Sequence, residues 1–152
     1  MTKQERYKLF RERADEYLPL QIKYLEDTLG IHDWIETDSD TDRHDKIDLI
    51  GFGGLINVSV RIRDIKYRKF KDMTFRQSEI EHLALSQVDY YLYGYVDGNT
   101  PVDWILVNGQ ALNRLIIDHP ELLSKSFINS GDQPTVLYGI KKKYFEDLIV
   151  GA

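Results

Sequence analysis

The sequence predicts an α/β fold, in which helices flank a mixed central sheet. Residues 55–63 alternate between apolar and polar side chains, which is the period of a strand with one buried face. Residues 3–30 instead carry apolar side chains at helical spacing, although Pro19 is expected to kink or split that helix. Further along, a helical segment stands between predicted strands, and such a crossover normally packs a helix against a sheet.

Composition places the chain among globular proteins. Its 152 residues suit one domain spanning residues 1–152, and a hydrophobic content of 42% supports a substantial core. No apolar run approaches the length of a membrane span, and the charged N-terminus does not suit a signal peptide. The absence of cysteine fits a reducing compartment, so we expect a cytoplasmic protein with no membrane contact.

A β-hairpin is expected in the first half of the chain. Its strands are Lys46–Phe52 and Leu55–Arg63, joined at Gly53 and Gly54, which suit a two-residue type I′ turn. That turn places Asp48 opposite Ser59, whereas a four-residue turn starting at Gly51 would place it opposite Asn57. Under either register, Asp48 shares a polar face with Ser59 and Arg61.

The remaining elements follow from shorter patterns. Ser78 and Glu81 match a helix capping box. Tyr90, Tyr91, Tyr93 and Tyr95 occur at strand period, and buried packing beneath a helix explains them better than a binding platform. The other predicted elements are strands at Asp72–Gln77, Tyr90–Val96, Trp104–Val107 and Thr135–Ile140, and helices at Gln110–Ile117, Glu121–Ser126 and from Lys143 onward.

The segments DKID (45–48) and NVSVRIR (57–63), set in an α-β-β-β-α-β order, resemble the PD-(D/E)XK nuclease superfamily. The resemblance covers roughly residues 5–107 and implies a restriction-endonuclease-like core. It implies that Asp48 takes the position of the metal-binding aspartate, with Mg²⁺ as the usual cofactor. Ser59 then takes the position of the second acid, and Arg61 that of the lysine beside the attacking water.

Two of these positions depart from the family pattern. Ser59 offers only a neutral hydroxyl, and Arg61 cannot lose a proton to act as a base, although it can stabilise phosphate charge. An acid from a neighbouring helix could replace the missing carboxylate. The candidates are Glu79 and Glu81 on the second helix, and Glu12 and Glu16 on the first.

Charge is unevenly distributed around the hairpin, although the net charge of −5 disfavours indiscriminate binding to a polyanion. Residues 36–48 are mostly acidic, and residues 61–76 are mostly basic. The basic segment also contains Tyr67 and Phe70, which suits contact with a nucleic-acid backbone and stacking on bases, or else a solvated loop with two core aromatics. The candidate nucleic-acid-binding residues are Arg63, Lys66, Arg68, Lys69, Lys71 and Arg76.

Two functional hypotheses follow. The first is a Mg²⁺-dependent DNA nuclease, or a close relative from a phage or mobile element, with Asp48, Ser59 and Arg61 at the catalytic positions. The second is a module that retains the fold and the basic rim without catalysis, and binds nucleic acid or a host or phage protein. Oligomeric state, strandedness of the substrate and biological pathway stay open.

Overall fold

The computed structural model describes residues 2–37, 48–81, 87–130 and 133–151. Three α-helices and nine β-strands lie within these described ranges, together with short 3₁₀ segments. The helices are α1 (Lys3–Leu29), α2 (Gln77–Glu81) and α3 (Gly109–Asp118). The strands are β1 (Ile35–Glu36), β2 (Leu49–Gly51), β3 (Ile56–Asp64), β4 (Asp72–Arg76), β5 (Tyr90–Asp97), β6 (Thr100–Asn108), β7 (Ser124–Ser130), β8 (Gln133–Lys141) and β9 (Ile149–Gly151).

The first helix runs unbroken through Pro19, so the expectation that this residue splits it is wrong. A capping box of Thr2 and Glu5 begins the helix, and Gly30 ends it in the left-handed conformation with φ of 70°. Tertiary contacts offset the hydrogen bond that proline removes. One of these contacts is a hydrogen bond that the Tyr24 hydroxyl donates to the Trp104 carbonyl of β6, over 2.9 Å.

The main sheet confirms the predicted α/β class. It has six strands in the order β1-β2-β3-β5-β6-β9. Only the β3–β5 pair is parallel, and α2 lies in the connection between these two strands. The sequence had predicted Asp72–Gln77 as the third strand of this core. That segment instead forms β4 in a second sheet. The strand that joins β2 and β3 is the short β1, which precedes them in sequence and pairs with β2.

The second sheet is antiparallel, in the order β4-β8-β7. Two predictions in the last third of the chain are wrong. Of the predicted helix at 121–126, only Glu121 and Leu122 are helical, within the 3₁₀ turn Pro120–Leu122, and Ser124–Ser130 forms β7 because it pairs with β8. The predicted terminal helix is a 3₁₀ segment, Lys142–Leu148, followed by β9 on the edge of the main sheet.

The hydrophobic core lies on both faces of the main sheet. One face packs against α1 through Leu25, Leu49, Val58 and Leu92. The other packs against the second sheet and α3 through Tyr91, Tyr93, Tyr95, Phe75, Leu112 and Ile140. The predicted burial of these tyrosines is therefore confirmed. They are covered by the strands of the second sheet in addition to the helix α3. Within the described ranges, no helix is long and apolar enough to span a membrane.

The start of α2 differs from the sequence prediction. Ser78 lies inside the helix, so its predicted role as the cap is wrong. Glu79 instead reaches back, and its Oε1 atom accepts the backbone N–H of Arg76 over 3.3 Å. This is the glutamate half of a capping box, displaced towards the N-terminus by two residues. It turns the Glu79 side chain inward.

Candidate active site

The β2–β3 hairpin fixes the register of the candidate site. Gly53 has φ of 65° and ψ of 26°, and Gly54 has φ of 93°, as a type I′ turn requires. The Leu55 N–H donates to the Phe52 carbonyl across this turn, over 3.3 Å. The ladder then pairs Ile50 with Asn57 and Leu49 with Val58. This is the first of the two predicted registers, in which Asp48 comes next to Ser59.

Asp48 is held by β3 on one side and by β1 on the other. Its N–H donates to the Val58 carbonyl over 2.9 Å, and its own carbonyl accepts the N–H of Thr37 over 3.1 Å. Its carboxylate Oδ2 accepts the Val60 N–H over 2.6 Å, a short charge-assisted bond. The next residue, Leu49, is buried against α1. The carboxylate of Asp48 therefore lies on the opposite face of the sheet, which carries the polar side chains of β3.

Ser59 and Arg61 occupy that polar face at successive positions. In the parallel ladder they pair with Tyr91 and Tyr93 of β5. Ser59 is only 4% exposed. The Nε atom of Arg61 is buried and has no hydrogen-bond partner among the described residues. A buried guanidinium nitrogen without a partner is costly, so this part of the site favours an added acceptor.

Glu79 brings a second carboxylate to the same face. It is only 6% exposed, and its Oε2 atom accepts a hydrogen bond from the Tyr91 hydroxyl over 3.5 Å. Both of its described hydrogen bonds are long, at 3.3 and 3.5 Å, so they compensate a buried charge weakly. Among the displaced acids whose side chains the structure describes, Glu79 is therefore the one that lies at this face.

The pKa of the Tyr91 hydroxyl depends on the charged groups around this face. Burial, then the charge of Glu79, raises the pKa of the Tyr91 hydroxyl well above its usual value. Arg61 lowers that pKa, and Asp48 adds to the rise. Asp48, Arg61 and Glu79 are thus close enough to act on one phenol, which stays protonated and can donate to Glu79.

Among the other displaced acids, Glu16 is the one whose side chain the structure describes, and it does not join this group. Glu16 is exposed on α1, and α1 covers the opposite face of the sheet. The side chains of Glu12 and Glu81 lie outside the described residues.

Mg²⁺ fits the acids at this face. The described residues contain no cluster of three or more acids, histidines or cysteines able to hold a metal. Mg²⁺ does not need one, because it is commonly held by one or two carboxylates and completes its shell with water and substrate phosphates. Asp48 and Glu79 supply two carboxylates to this face.

The candidate nucleic-acid-binding residues follow β3 out of the site. Arg63 lies one pleat beyond Arg61, bonds to Thr74 and lies over the Tyr67 ring at 4.4 Å. The basic loop, residues 65–71, comes next. Its cations Lys66, Arg68, Lys69 and Lys71 are all exposed, as is Arg76 at the end of β4.

Two contacts from distant parts of the chain modify the basic loop. Arg68 forms an ion pair with Asp103, so its charge is partly neutralised. Lys142 donates to the Arg68 carbonyl over 3.0 Å and lies over the Tyr95 ring at 4.8 Å. Partial burial lowers the pKa of Lys142. Sequence reasoning missed Lys142 because 74 residues separate it from Arg68, and it missed Tyr91 as a site residue because its pattern indicated core packing.

Comparison with solved structures gives a distant structural likeness. No protein-family model and no curated protein matches the chain. Among solved structures, the chain is similar to Hjc of Archaeoglobus fulgidus, a Holliday junction resolvase from an archaeal hyperthermophile. The two share 10% sequence identity over 81% of each chain, with a TM-score of 0.39. A score this low does not establish a shared fold, so a functional assignment has to rest on the residues of this chain.

Proposed function

We propose that this protein is a nuclease that hydrolyses phosphodiester bonds of DNA with Mg²⁺ as its cofactor. The observation that supports this proposal is that Asp48, Glu79 and Arg61 lie around Tyr91, on one face of the main sheet. Two carboxylates and a guanidinium are the groups that hydrolysis of a phosphodiester needs at neutral pH.

Each residue has a distinct task in this proposal. Asp48 and Glu79 hold the cation, which when bound polarises the phosphate and lowers the pKa of a water molecule. Arg61 stabilises the negative charge that develops on the phosphate, and its buried Nε atom has no hydrogen-bond acceptor in the part of the chain that the structure describes. Arg61 stays protonated, so the proton of the attacking water passes to a carboxylate or to solvent.

The strand geometry supports these assignments. The hydrogen bond from Val60 N–H holds the Asp48 carboxylate beside β3, so little ordering is required when substrate binds. Glu79 is oriented by Arg76 and Tyr91 from the other side. Arg63 and the basic loop extend the positive charge away from Arg61, which gives the DNA backbone a path to the site.

The serine at position 59 favours a second candidate function. Because Ser59 is neutral and buried where the resembled family has an acid, the chain also suits a module that binds nucleic acid without cutting it. Such a module would use the same basic loop, and its Glu79 would serve only to cap α2.

A cleavage assay tests the proposal. Purified protein is incubated with supercoiled plasmid, linear duplex and single-stranded DNA in Mg²⁺, in Mn²⁺ and in excess EDTA. We expect cleavage of at least one probe with either cation and none with EDTA. Equal cleavage in EDTA would overturn the metal-dependent mechanism. Salt-sensitive binding without cleavage under every condition would overturn the nuclease and favour the second candidate.

A further inference from the structure

An exposed aromatic pair stands on the basic loop. Phe70 is 53% exposed, although large apolar side chains are usually buried. Its ring stacks on that of Tyr67, with the centroids 6.5 Å apart and the planes inclined by 29°. Tyr67 is half-buried and packs against the core of the second sheet. The pair therefore joins a fixed inner ring to an outer ring that is open to solvent.

Cations surround both rings. The Arg63 guanidinium lies 4.4 Å from the centroid of Tyr67, and the Lys66 ammonium lies 5.1 Å from it. The Lys69 ammonium lies 5.4 Å from the centroid of Phe70. These contacts are cation–π interactions, which orient the rings and keep positive charge beside them. The acids near them in sequence, Asp64 and Asp72, do not balance the charge, because residues 63–72 contain five lysines and arginines.

We propose that the Tyr67–Phe70 pair binds an unpaired base of the DNA substrate by stacking, while the lysines beside it contact the adjoining phosphates. The inference rests on the proposed function for the identity of its ligand, and it adds the class of substrate. A flat apolar face beside ammonium groups matches a nucleotide, which has an aromatic base next to an anionic phosphate.

This chemistry selects single-stranded or locally unpaired DNA. In a duplex each base already stacks on its neighbours, so Phe70 can reach a base only where a strand is open or a base is extruded. Phosphate contacts alone would not discriminate, because both forms of DNA carry the same backbone charge. The aromatic pair adds an interaction that only the unpaired form makes.

The position of the pair connects it to the candidate active site. Arg61 and Arg63 lie on one face of β3, between Ser59 and the basic loop. Ser59 and Arg63 are four residues apart, which is roughly 13 Å along an extended strand. A short single strand bound at Phe70 can therefore follow these two arginines to Asp48.

A binding experiment in EDTA tests this inference without involving cleavage. Fluorescence anisotropy measures the affinity of the 152-residue chain for a labelled oligothymidylate and for a duplex of equal length. We expect tighter binding of the single strand. Phe70→Ala should weaken that binding about tenfold, the loss of one base–aromatic stack, and should change duplex binding by less than about twofold.

Phe127→Ala is the matched control. Phe127 is 62% exposed on β7 and has the Lys125 ammonium 5.7 Å from its ring, so it reproduces an exposed phenylalanine beside a lysine outside the basic loop. We expect it to leave both affinities unchanged. An oligonucleotide with one 2-aminopurine gives a second readout, because stacking on Phe70 should quench its fluorescence in the wild type and not in Phe70→Ala.

The outcomes separate this inference from the proposed nuclease. Equal affinity for the two DNA forms, an equal loss in Phe70→Ala and Phe127→Ala, or no binding at low salt would each overturn the stacking inference. The stacking inference would also be overturned if the protein bound an acidic protein and bound neither oligonucleotide. Because EDTA is present throughout, single-strand preference that depends on Phe70 would stand even if the cleavage assay failed.

Discussion

Asp48→Ala is expected to abolish Mg²⁺-dependent cleavage, lowering its rate by about 100-fold or more. The substitution removes a carboxylate that no residue of the adjoining strand β2 can replace, because Leu49–Gly51 contains no acid. It also removes the acceptor for the Val60 N–H, so we expect it to cost about 1–3 kcal/mol of unfolding free energy. Initial rates of oligonucleotide cleavage and urea denaturation measure these two effects.

Asp48→Asn removes the negative charge at this position and keeps the hydrogen bond with the Val60 N–H, so it separates the effects of the two. Its amide oxygen can still accept the Val60 N–H, so stability should stay close to that of the wild type while cleavage is lost. Asp118→Ala is the control, because Asp118 is an exposed acid at the end of α3, and it should change neither property. Cleavage by Asp48→Asn at the wild-type rate would contradict the assignment of Asp48 as a metal ligand.

Glu79→Gln is expected to lower cleavage by about 100-fold without lowering stability. Glutamine has nearly the same shape: its amide oxygen can accept the Arg76 N–H and its NH2 group can donate to the Tyr91 hydroxyl oxygen, but it lacks the negative charge that holds a cation. Removing a buried charge with few compensating hydrogen bonds does not destabilise a protein in the way that breaking a paired charge does. Cleavage rate and melting temperature should therefore respond differently.

Glu146→Gln is the matched control for this prediction. Glu146 is exposed in the 3₁₀ segment before β9, so the same chemical change is made outside the candidate site. If Glu79 only caps α2, Glu79→Gln should cleave DNA as fast as Glu146→Gln does. That result would remove Glu79 from the site and leave Asp48 without a second carboxylate.

The sequence was most informative where the backbone itself determines the geometry. Two consecutive glycines specify a type I′ turn, and that turn determines the register that brings Asp48 next to Ser59. The alternation along β3 then determines which side chains share a face. These local rules were sufficient to predict the hairpin and the α/β class.

The rest depended on contacts between segments far apart in sequence. The Ser124–Ser130 segment is a strand because β8 pairs with it, and its own pattern does not distinguish a strand from a short helix. Similarly, Glu79 and Glu81 were equivalent in sequence. Glu79 faces inward because α2 begins at Gln77, two residues before the position that the Ser78 capping signal indicated.

A crystal soaked in Mn²⁺ tests most directly the central claim that Asp48 and Glu79 hold one cation. We predict an anomalous difference peak that the carboxylates of Asp48 and Glu79 both coordinate, with Arg61 free to reach a phosphate. A structure in which Arg61 pairs with these carboxylates, and in which no manganese binds beside Asp48, would contradict the account.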